Sequence, residues 1–91
     1  MAFMKKACGY SFEELIQPCK MAPVTWYRQI MMYVMSQEGL SAKSIGRLTH
    51  RDRTTVLYSL RRVQELIDVK DKFTIRVIDK LNKLKENDIS Y

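Results

Sequence analysis

Four arginines, an aspartate, two threonines and a histidine fall within the fourteen residues His50–Val63, which read HRDRTTVLYSLRRV. Their shared chemistry is recognition of phosphates and base edges. An arginine fork bridges O6 and N7 of guanine, a threonine methyl packs on the thymine methyl, and an aspartate accepts from cytosine N4. Across residues 43–62, Lys43, Arg47, Arg51, Arg53, Arg61 and Arg62 stand against Asp52 alone, so six minus one gives +5 of the chain's net +6. Charge concentrated this way points to a polyanion, most often nucleic acid. The plainer reading is a solvated helix face.

Other chemistry is poorly supplied. Glu13 and Glu14 are adjacent carboxylates, but Ser11 three residues before Glu14 makes a capping box the simpler explanation. Cys8, Cys19 and the lone His50 are too few and too widely spaced for zinc, and the cysteines read as reduced, buried thiols. No G-x-x-x-x-G-K-[ST] loop is present, and nothing assembles a nucleophile, a base and an orienting partner. No catalytic residue, metal, cofactor or ATPase activity is therefore expected. The longest apolar run, IMMYVM at Ile30–Met35, is far short of the roughly 18 residues of a membrane span. The opening MAFMKKACGY lacks the apolar stretch of a secretory signal, so the expected location is cytoplasmic.

The elements that position the basic stretch follow from periodicity and breakers. Ninety-one residues, 46% of them apolar, suit one domain over 1–91. Gly9, Gly39, Gly46, Pro18 and Pro23 divide a chain that otherwise reads as helix. A short helix over about 2–8 stops at Gly9, and another begins after Ser11. In TWYRQIMMYVMSQE, Tyr27, Ile30, Met31 and Val34 fall at helical spacing and Gly39 ends the run. That methionine-rich face reads as core, with a binding groove as the alternative. In SAKSIGRL, Ser41 is an N-cap, and Ala42, Ile45 and Leu48 share one side.

After a turn at Thr49–Asp52, Val56, Leu60, Val63 and Ile67 form the apolar stripe of a longer helix. A last helix over about 71–85 is expected to bury Phe73, Val77, Ile78, Leu81 and Leu84 and to alternate charge elsewhere. No strand pattern occurs, so the fold class is a small all-α bundle. Residues of about 41–67 make a helix-turn-helix, in which the second helix enters the major groove with its first turn on base edges. That turn presents Arg53, Thr54 and Thr55, with Asp52 at the N-cap. Each also has a reading without DNA: Asp52 as a cap, the threonines as first-turn residues, Gly46 as a packing glycine, His50 as a turn residue.

At these residues the chain resembles the C-terminal DNA-binding domain of the bacterial replication initiator DnaA. RQIMMYV at Arg28–Val34, SAKSIG at Ser41–Gly46 and RDRTTVLYSLRRV at Arg51–Val63 are similar, in order, to that family's R-Q-x-A-M-Y-L, S-L-x-x-I-G and F-G-R-D-H-[ST]-T-V-x-x-A. SFEELIQPCK resembles the segment leading into the domain, and the likeness spans roughly residues 8–67 almost without gaps. It implies a Trp-repressor-like helical bundle that binds double-stranded DNA. It further implies base contacts from Arg28 in the minor groove and from Asp52, Arg53 and Thr54 in the major groove. Ser41, Lys43, Arg47, Arg51, Thr55, Arg61 and Arg62 are the implied phosphate contacts.

Departures stand out too: the loop before Ser41 is one residue shorter, Thr49 and His50 replace the family's Phe and Gly, and Arg53 replaces a base-reading histidine. An arginine there prefers guanine, so DNA binding carries over while the family's usual box sequence does not. The expected role is a regulator, or a competitor at initiator-like sites. The alternatives are a protein-interaction module that kept the fold but lost specific DNA binding and, ranked lower, a binder of structured RNA. No heptad run specifies a dimer.

Overall fold

The computed structural model describes residues 3–18 and 21–87. Six helices follow one another: α1 Phe3–Cys8, α2 Phe12–Leu15, α3 Ala22–Gln37, α4 Ala42–Thr49, α5 Arg53–Asp68 and α6 Lys72–Asn87. No strand occurs among the described residues. Ala2 and Cys19 lie outside them.

Local chemistry sets most of the boundaries. Ser11 accepts from the Glu14 N–H at 3.2 Å while the Glu14 carboxylate accepts from the Ser11 N–H at 3.0 Å, the expected capping box. Ser41 accepts from the Ser44 N–H at 3.2 Å and opens α4. At the end of α3, Gly39 takes φ +100°, its N–H reaches Ser36 O, and the Leu40 N–H reaches Met35 O. This is the left-handed closure that glycine makes cheaply, with Leu40 and Met35 as its apolar pair. Lys70, at φ 59°, closes α5 in the same manner, its N–H on Ile67 O and that of Asp71 on Leu66 O.

Helix α3 is the centre of the bundle. Ile30, Met31 and Met32 are consecutive and all fully buried, which only a helix covered on nearly all sides allows. The spacing predicted one buried face; α4 and α5, together with α6 and α2, cover the others. Leu15, Val24, Val34, Met35, Ile45, Val56, Val63 and Leu81 complete the buried core. Burying side chains of this size stabilises by about 1.5–3 kcal/mol each. The predicted α5 stripe is as expected, with Val56 and Val63 buried and Leu60 and Ile67 half-buried against the core.

Two apolar residues lie elsewhere than predicted. Leu48 is 47% exposed because Ile45, Gly46 and Thr49 define the buried sector of α4, and Leu48 is about 100° of helix away from Thr49. Phe73 is 66% exposed because Thr74, the next residue, faces inward on α6 with Leu81. Thr74 tolerates full burial because its hydroxyl donates to Asp71 Oδ2 at 2.6 Å and accepts from Trp26 Nε1 at 3.3 Å. Cys8 is half-buried, its Sγ donating to Tyr10 O at 3.7 Å, and burial pushes its thiol pKa up, away from reactive thiolate character.

Candidate nucleic-acid interface

Helices α4 and α5 and the residues between them form the helix-turn-helix. The turn folds back tightly on α4. His50 is left-handed at φ 57°, and the Arg51 N–H reaches Gly46 O at 2.9 Å. A Cβ on Gly46 would meet Arg51 O at 2.6 Å, so this glycine is needed for the approach of turn backbone to helix. Thr49, where the resembling family has phenylalanine, is fully buried and donates its hydroxyl to Ile45 O at 2.7 Å. His50, in the place of that family's glycine, adopts a conformation glycine would accept at no steric cost.

Two of the predicted DNA arginines are engaged inside the protein. Arg28 is 8% exposed; its Nε donates to Leu15 O at 2.6 Å and its Nη2 to Gln17 O at 3.1 Å. Arg51 is half-buried, with Nη1 donating to Thr49 O, His50 O and Ile16 O at 2.9–3.2 Å and Nη2 to Gln17 O at 2.9 Å. Both guanidinium groups therefore end on the carbonyls at and just after the end of α2, and Gln17 O is shared between them. They pin residues 15–17 to α3 on one side and to the turn on the other. Charge-assisted bonds of this kind are about twice as strong as neutral ones.

The remaining predicted residues are at the surface. Asp52, Arg53, Thr54 and Thr55 are exposed together at the start of α5, and Ser41, Lys43 and Arg47 are exposed on and before α4. Asp52 Oδ1 caps α5 by accepting from the Thr55 N–H at 2.7 Å, which leaves the other carboxylate oxygen for an external donor. Arg61 lies two turns beyond Thr54 on the same face. Arg62 is on a flank, 3.6 Å from Glu65, beside a groove lined by Trp26, Leu66 and Phe73.

Sequence reasoning missed Leu57 and Tyr58. They are 43% and 60% exposed, and with Thr54 and Arg61 they occupy i, i+3, i+4 and i+7 on the outer face of α5. The signal was available: the stripe through Val56 and Val63 puts Tyr58 on the opposite side of the helix and Leu57 on its flank. Two large apolar side chains in line with the arginines offer contact to thymine methyl groups.

The caps titrate together. The Thr55 N–H holds Asp52 below the usual carboxylate range, the Thr74 hydroxyl and N–H hold Asp71 below it, and the Ser11 N–H and hydroxyl lower Glu14. A lowered folded-state pKa means that the unfolded chain binds more protons, so stability rises with pH through that range. The contribution of these caps is complete above the ordinary carboxylate range near pH 4 and is lost as pH falls through the lowered values. Asp71→Asn removes one of these titrations, and its thermal midpoint is expected to fall less steeply than wild type as pH is lowered below the ordinary carboxylate range. Identical acid limbs would sink this assignment.

Residues 1–63 match the bacterial DnaA protein helix-turn-helix family. The chain belongs to that family. Among similar proteins, the chromosomal replication initiator protein DnaA of Thermomicrobium roseum is 44% identical over 57 residues, covering 60% of this chain and 12% of the relative. The chain thus matches only a small part of that relative's length. DnaA helix-turn-helix domains bind double-stranded DNA with sequence specificity, and the all-α bundle around α4 and α5 is the architecture of this domain class. The DnaA-family match ends within α5, so α6 lies beyond it. Among the described residues no cluster of metal-binding side chains occurs, and no helix is long and apolar enough to cross a membrane.

Proposed function

We propose that this DnaA-type domain, acting as one unit over residues 1–91, binds duplex DNA with its own sequence preference and regulates, or competes at, initiator-like sites without ATPase activity. Its place is then with the nucleoid in the cytoplasm. The observation that carries this reading is the exposed start of α5. There Asp52, Arg53, Thr54 and Thr55 stand together on a turn braced by Gly46 and Arg51. Arg53 reads guanine, Asp52 and Thr54 read adjoining bases, and Thr55, Ser41, Lys43, Arg47 and Arg61 meet phosphates. Leu57 and Tyr58 extend the reading face along the groove.

Arg28 and Arg51 have a double part. In the unbound protein they hold the carbonyls of residues 15–17. Arg28 reaches the minor groove by exchanging Leu15 O and Gln17 O for the acceptors at adenine N3 and thymine O2. DNA binding is then coupled to release of the segment after α2.

Arg53→Ala is expected to lower discrimination between a selected duplex and a scrambled one by about 1–3 kcal/mol. Arg61→Ala should weaken both duplexes equally and reduce the slope of log K against log salt by about 0.9. Fluorescence anisotropy at several salt concentrations measures both. Site preference unchanged in Arg53→Ala would remove that residue from base reading. A second reading, a protein-docking face, is favoured by the exposure of Leu48, Leu57 and Tyr58. It predicts no discrimination among duplexes in the first place.

A further inference from the structure

Beyond the family match, α6 and the turn before it carry a second basic surface. Lys70, Lys72, Arg76, Lys80 and Lys83 line one concavity, with Asp79 as its only acidic member. The sequence reads as charge alternation, but Thr74 and Leu81 face inward and turn the cations to a common side. Among the described residues none of these five cations forms an ion pair. Lys72, Arg76 and Lys80 follow one another at i, i+4 spacing, where like charges repel along a helix. A row of unneutralised cations in a concave surface is complementary to a phosphate backbone.

From this we infer that the outer face of α6 is a second contact surface for the phosphates of duplex DNA. The occupant follows from the proposed function, on which this inference rests. It serves phosphates and not bases, since four of its five cations are lysine ammonium groups, point charges without a fork for base edges, and the guanidinium of Arg76 lies 6.0 Å from the centre of the Phe73 ring. Its contribution is to affinity and salt dependence, not to site preference.

The test uses the full chain and a duplex of about 30 base pairs carrying a selected site, titrated by anisotropy across a range of salt. In Lys72→Gln/Arg76→Gln/Lys83→Gln the slope of log K against log salt is expected to fall by about 2–3, near 0.9 per lost phosphate contact. The ratio of selected to scrambled affinity should be unchanged. Lys5→Gln/Lys6→Gln, which removes exposed charge from α1, serves as the control and should leave the slope within about one unit of wild type. An unaltered slope in the α6 variant, or an equal fall in the control, overturns the inference. Duplexes in two colours then locate the phosphates: coincident labels assign them to a second duplex, and single labels to the duplex held by the helix-turn-helix. If wild type shows no site preference yet the α6 variant still loses slope, the helix-turn-helix reading fails and this one stands.

Discussion

Arg28→Ala is expected to lower the thermal midpoint by roughly 10–25 °C. The guanidinium donates to Leu15 O at 2.6 Å and Gln17 O at 3.1 Å, and Leu15 is fully buried. Hydrogen bonds to a charged group contribute about 1.5–3 kcal/mol each, and truncation leaves the carbonyl of a buried residue without its donor. Gln17 O retains Arg51 at 2.9 Å, so the loss falls short of two full bonds, at about 2–4 kcal/mol. A domain of this size has about 5–14 kcal/mol in total and shifts by about 4–8 °C per kcal/mol. Arg28→Lys keeps the charge but cannot span two carbonyls, and it should fall between wild type and alanine. Calorimetry with and without a selected duplex checks this. An unchanged midpoint with reduced site preference would mean that Arg28 serves DNA alone and braces nothing.

Gly46→Ala has the next largest expected effect. The new Cβ meets a backbone oxygen, Arg51 O, at 2.6 Å, with Arg51 C and Asp52 C at 3.6 Å, so no side-chain rotation relieves it. Overpacking costs about 1–3 kcal/mol. Alanine's better helix propensity returns about 1 kcal/mol. The clash wins because the turn must move bodily, and the net loss is up to about 2 kcal/mol. The turn carries Asp52 and Arg53, so site preference is expected to drop more than tenfold while helix content by circular dichroism stays native. Full preference in the alanine variant would show that the turn is compliant and does not set the reading head.

The parts of the fold legible in the sequence were those fixed by neighbours along the chain. Ser11, Ser41 and Asp52 cap the helices they precede, and Gly39 ends α3, because each acts within four residues of its partner. The stripe through Val56 and Val63 was legible for the same reason. Burial decided by distant partners was not. Thr74 is inside because Trp26, 48 residues earlier, donates to it, and Leu48 and Phe73 are outside because Thr49 and Thr74 take the inward positions. Arg28 and Arg51 read as surface cations until the carbonyls after α2, up to 35 residues away, are placed against them. In the candidate site, Arg53, Thr54 and Thr55 were legible from their place in the turn. Leu57 and Tyr58 emerged only when the outer face of α5 was assembled.

The central claim is sequence-preferring duplex binding by α5, and one titration tests it most directly. A duplex selected from a random pool and its scrambled counterpart are each titrated with wild-type protein, at low and at physiological salt, by fluorescence anisotropy. Three base-reading side chains at about 1–3 kcal/mol each predict a preference of at least about 100-fold for the selected duplex. Both affinities should fall as salt rises. Equal affinity for the two duplexes, or no binding to either at low salt, would contradict the account.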